Sequence, residues 1–111
     1  MTIVTFGKHN GRIVSVECKG HTGYGESGED IVCAALSAMV QSCALGILKV
    51  VGIDAKYKTD DLTGYLKLEL PKDLPQDKAH DAEVLLETLA KSVEDLTADY
   101  HQYVKSEVKE L

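Results

Sequence analysis

Cys33 is the residue whose surroundings best suit a nucleophile. The chain carries three cysteines and four histidines in 111 residues. Cys33 falls in the first turns of a helix expected to start at about Gly28, where free backbone N–H groups and the helix dipole favour negative charge. The thiolate is the attacking form of cysteine, so a helix start is a sensible seat for it. Asp30, Cys33 and Ser37 follow one another at i, i+3 and i+7 and share one stripe, a polar patch on an otherwise apolar helix. His21 stands at the end of the second expected strand. The loop between them, from Gly20 to Asp30, holds four glycines in nine residues and is no regular element. Such a loop can bring strand end and helix start together and fold over an extended substrate. His21 is then placed to take the Cys33 proton and to return it to a leaving amine. The Cys33 backbone N–H, or one from the Gly28 turn, would serve the oxyanion.

Other readings of the same residues stand beside this one. Cys18 lies on the apolar face of a strand and Cys43 in the middle of an apolar helix, so both read as small core hydrophobes. His9 precedes a turn, and His80 and His101 sit among charges, which makes all three solvated surface residues. Asp30 is either a support for the site or only an acid of the helix first turn. Ser37 either serves the site or bonds the carbonyl four residues back. Cys18-x-x-His21 has metal-ligand spacing, with Cys33 as a third ligand. Cys43 is ~15 Å further along the helix and cannot be the fourth. The set also needs Cys18 to leave the core, so no metal and no cofactor are expected.

The elements that must position these groups are legible from pattern. Thr2 to Lys8 and Arg12 to Lys19 read as strands joined at Asn10-Gly11. Ser27, with Asp30 three residues on, reads as a helix N-cap, and the helix runs to about Val51 with Gly52 as its C′ glycine. It is apolar nearly all round, which calls for cover by the second helix or a partner subunit. Ala55 to Thr59 and Tyr65 to Leu70 read as a second hairpin around 60–64. From Asp77 to Lys109 a stripe of Leu86, Leu89, Val93, Leu96, Tyr100 and Tyr103 predicts one long helix. The order ββαββα implies a two-layer α+β fold, a four-stranded antiparallel sheet covered by two helices.

Composition narrows the function classes. One domain spanning 1–111 is expected from the length. The net charge is −6 and no Lys/Arg cluster occurs, which argues against direct nucleic-acid binding. The apolar run Ile31 to Val51 is broken by Ser37, Gln41, Ser42 and Lys49, and so reads as a core helix rather than a membrane span. The N-terminus lacks a basic region followed by an apolar stretch, and the cysteine number is odd. Both features point to reduced thiols in the cytoplasm.

The stretch Gly20-His21, then Gly28-Glu29-Asp30-Ile31-Val32-Cys33-Ala34-Ala35-Leu36-Ser37, closely resembles the ribosomal-processing cysteine protease family, Prp. The resemblance extends over essentially the whole chain; Thr22 stands where the family often has Ala. It implies the ββαββα fold, a homodimer, and removal of the N-terminal extension of a bacterial large-subunit ribosomal protein, the twenty-seventh by convention. On matched positions it implies Cys33 as nucleophile and His21 as general base and acid. Asp30 and Ser37 would be supporting residues, with Gly20 and Gly28 shaping the loop. The substrate would be the N-terminal segment of the ribosomal protein precursor. The competing class is a non-enzymatic ribosome-associated binding module in which the His/Cys pair is structural.

Overall fold

The structure is a computed structural model that describes residues 1–21, 23, 25 and 30–111. β1 (Thr2–His9) and β2 (Arg12–Lys19) form the opening hairpin. Asn10 and Gly11 close it with φ of 53° and 78°, the two positive values that a turn matching strand twist requires. Register pairs Val4 with Cys18 and Phe6 with Val16. β4 (Tyr65–Glu69) continues both rows, setting Leu66 beside Cys18 and Leu68 beside Val16. Two apolar rows therefore cross three strands on one face, because side chains alternate along each strand. α1 (Ile31–Leu45) and α2 (Gln76–Tyr100) cover that face to make one contiguous core. β3 (Lys56–Asp60) pairs with the outer edge of β4.

The sheet departs from the expected four antiparallel strands. It has five, ordered β3-β4-β2-β1-β5, and β5 (Val104–Glu110) runs parallel to β1. The long helix does not continue to Lys109. It stops at Tyr100; a turn then bonds the Tyr103 N–H to the Tyr100 carbonyl, and the chain turns back along the sheet. The reason is physical: β1 would otherwise present an unpaired edge, and the tail satisfies it. The helical stripe itself holds where the helix exists. Leu86, Leu89 and Val93 are buried, and Leu96, Tyr100 and Tyr103 pack against the core.

α1 begins later than expected. Asp30, with φ −78° and ψ 98°, is itself the N-cap, so the first helical residue is Ile31 rather than about Gly28. The Ser27 cap falls outside the described residues. At the other end the chain passes through a π-helical turn, Gly46–Val51, and stops at Gly52 with φ 81°, the expected left-handed C′ position. The segment Ile31–Val51 is long and apolar enough to cross a membrane by length and composition. In this fold its inward stripe, Val32, Leu36, Val40 and Cys43, lies in the core, while Ile31, Ala34, Ala38 and Leu45 face outward uncovered.

Candidate active site

Four of the expected site residues meet at one cavity. Gly20, His21, Cys33 and Ser37 line it, together with Thr2, Cys18, Gln41 and the turn that joins β3 to β4. A helix start and a strand end deliver them. Cys33 and Ser37 project from the first two turns of α1, one turn apart on the same side. His21 follows β2 directly, and Gly20 before it makes the bend. Gly20 has φ 87°, and a Cβ there would lie 2.7 Å from the Met1 carbonyl oxygen, so only glycine fits. Its own carbonyl accepts a hydrogen bond from Thr2 Oγ1 at 2.9 Å, which ties the end of β2 to the start of β1.

Asp30 is tied to Cys33, though not in the way first expected. Its Oδ1 accepts the Cys33 backbone N–H at 2.8 Å, and its carbonyl accepts the N–H of Ala34 at 3.0 Å. This is an N-cap satisfying groups the helix leaves open. It also corrects the assignment of the Cys33 N–H to an oxyanion, because that donor is already engaged by a carboxylate. Gly28 lies outside the described residues.

His21 Nε2 lies 3.2 Å from the Leu62 carbonyl oxygen, across the cavity from the helix. Among the described residues no hydrogen bond joins His21 to Cys33, so proton transfer between them needs the two side chains to come closer. Sequence pattern identified 60–64 only as a turn and missed this role. Turn chemistry was visible in Asp60 and Gly64, but the docking of the turn on His21 is a contact 41 residues long in sequence. Tyr65, at the end of the same turn, donates its hydroxyl to Glu17 Oε2 at 2.8 Å and closes that side of the cavity.

The three thiols are sharply different. Cys33 is half-buried, whereas Cys18 and Cys43 are buried. Burial pushes the Cys18 thiol from its ordinary value of 9.0 up to about 12, with smaller contributions from the Glu17 carboxylate and from Cys33. Burial alone pushes Cys43 up to about 11, and its Sγ reaches only the Leu85 carbonyl, at 3.7 Å. Cys18 faces the core as strand phase predicts, and among the described residues no three His, Cys, Asp or Glu side chains are grouped to hold a metal ion.

A stability consequence follows for alkaline solution. Below the ordinary thiol value both folded and unfolded chains keep Cys18 protonated, and its contribution is intact. Above 9.0 the unfolded chain releases the proton while the folded chain holds it until about 12, so stability falls as pH rises through that window. Cys18→Val should weaken this loss. Urea midpoints compared at about pH 8 and about pH 10 check it, and an unchanged pH dependence would remove Cys18 as a cause.

A half-buried thiol at a helix start, facing an imidazole across a cavity walled by sheet and hairpin, is the arrangement of a thiol-dependent hydrolase. The family described as cysteine protease Prp matches residues 1–105. The ribosomal processing cysteine protease Prp of Bacillus subtilis is 29% identical over 92 residues, covering 83% of this chain and 82% of that protein. A crystal structure of Prp from Staphylococcus aureus, in complex with a covalently linked product peptide, superposes with a TM-score of 0.87 at 25% identity. It covers 98% of this chain and 100% of that one. A Streptococcus mutans protein of known structure gives a TM-score of 0.86 at 26% identity, covering 100% and 96%. The chain belongs to the Prp family of cysteine proteases. Of the classes weighed from sequence, the cysteine protease is the one that family membership supports.

Proposed function

We propose that this protease removes the N-terminal extension of a bacterial large-subunit ribosomal protein, the twenty-seventh, using Cys33 as nucleophile and His21 as base. The observation that carries the reading is the single cavity lined by Cys33, His21, Ser37 and Gly20. His21 takes the thiol proton and Cys33 Sγ bonds to the scissile carbonyl carbon. The carbon–nitrogen bond then breaks as His21 returns the proton to the leaving amine, and water hydrolyses the thioester. Asp30 supports Cys33 by holding the helix start, Ser37 lines the wall beside it, and Gly20 sets the bend that carries His21. Gly28 belongs to the supporting set by its place in the family motif. The Staphylococcus aureus relative has been crystallised with a substrate peptide as well as with a product peptide, which supports a peptide as the substrate here.

Two further features fit that role. The chain carries a net charge of −6, and a basic ribosomal substrate is drawn to an acidic protein. The outward row Ile31, Ala34, Ala38 and Leu45 on α1 is suited to a second copy, which supports a homodimer as the working form; three cysteines, an odd number, suit reduced thiols in the cytoplasm. The test is mass spectrometry of the ribosomal precursor before and after incubation with the enzyme. The expected product is shorter by a short N-terminal segment; a precursor of unchanged mass would exclude this substrate.

A further inference from the structure

The geometry points to the β3–β4 turn as the orienting partner of His21, with the Leu62 carbonyl fixing which ring nitrogen is the base. A carbonyl oxygen only accepts, so at 3.2 Å the hydrogen between the two atoms belongs to His21 Nε2. In the neutral ring the other nitrogen, Nδ1, then carries the lone pair. Nδ1 is therefore the atom that takes the Cys33 proton, and Leu62 supports the imidazolium that results. The group that orients the base is main chain, which explains why no third side chain stands out in the sequence.

The turn is built to hold that carbonyl in place. Asp60 Oδ1 accepts the Leu62 N–H at 3.1 Å, closing an Asx turn that holds the peptide unit immediately before the one carrying the Leu62 carbonyl. Thr63 Oγ1 donates to the Asp60 carbonyl at 3.5 Å. Gly64, at φ 66°, lets the hairpin press against the end of β2: a Cβ there would lie 2.7 Å from the Gly20 carbonyl oxygen and 3.1 Å from His21 Cε1. Neither neighbour can give way cheaply, because one is backbone and the other is the base itself. Gly64 and Asp60 are thus positioning residues for His21.

The inference rests on the reading of His21 as the base, and its test separates the two. Histidine ¹⁵N NMR of the full-length enzyme reads the tautomer directly, with the expected signal from His21 protonated on Nε2. Gly64→Asn keeps a residue that tolerates positive φ but adds the Cβ, so kcat should fall about tenfold or more with KM within about twofold, and the tautomer should become mixed. Gly11→Asn is the matched control, since an added Cβ there meets nothing within 4 Å; it should cleave like the wild type. Asp60→Ala should lower kcat several-fold, and Asp60→Asn, which keeps the accepting oxygen, should restore it. A wild-type His21 protonated on Nδ1, or a folded Gly64→Asn enzyme with unchanged kcat, overturns the inference while leaving the Cys33/His21 pair standing. Normal cleavage by His21→Ala would instead overturn the pair.

Discussion

In Cys33→Ala, cleavage of the ribosomal precursor should fall by on the order of 10³-fold or more, while Cys18→Val and Cys43→Ala should go on cleaving. The contrast follows from where the three thiols sit. Cys33 is half-buried at the cavity and within the first turn of α1, so a peptide carbonyl can approach its sulfur. Cys18 borders the same cavity, but its place in the apolar row of β2 and its upward shift to about 12 leave it protonated at neutral pH. Cys43 lies deeper along α1, against α2, and burial holds it at about 11. The same order should appear in alkylation by iodoacetamide: one thiol reacts quickly, and mass mapping places the adduct on Cys33. Loss of activity in a folded Cys43→Ala protein, or wild-type cleavage by Cys33→Ala, would sink the assignment of the nucleophile.

That Cys18 and Cys43 could be set apart from Cys33 as core residues reflects how local the deciding signals are. Strand phase put Cys18 inward, and the apolar neighbours of Cys43 put it in the core; both are properties of a few adjacent residues. The bend at Gly20 and the stop at Gly52 were legible for the same reason, since positive φ is a demand made by the local backbone. What failed were features decided at a distance. The Leu62 carbonyl carries no side-chain signature at all, so its place beside His21 was invisible. β5 is the clearest case. Val104-Lys-Ser-Glu-Val108-Lys109 alternates with period two, but it is short and rich in helix-forming Lys and Glu, and it continues a helical stripe already running. Only the open edge of β1, a tertiary fact, turns it into a strand.

That edge strand also leads to the second large effect, because it reaches the site. Val104 is 1% exposed at the start of β5, beside Thr2 of β1, whereas Val108, on the same strand and the same face, is 61% exposed. Val104→Asp forces a carboxylate into the core or pulls the strand away, and should cost about 3 kcal/mol or more. Val108→Asp leaves its carboxylate in water and should stay within about 0.5 kcal/mol of the wild type. Against a total of roughly 5–15 kcal/mol for a domain of this kind, the first is a large fraction and the second is not. The loss should carry into catalysis. The Thr2 N–H bonds the Tyr103 carbonyl at 2.9 Å, and Thr2 Oγ1 bonds the Gly20 carbonyl, the residue that bends the chain into His21. Displacing β5 therefore loosens the strand that anchors the base, and Val104→Asp should lower cleavage even at temperatures where it remains folded. Urea unfolding and precursor cleavage on the two variants decide it. Equal and small shifts for Val104 and Val108 would mean that the tail does not pack on β1, and the link from the sheet edge to His21 would fall with it.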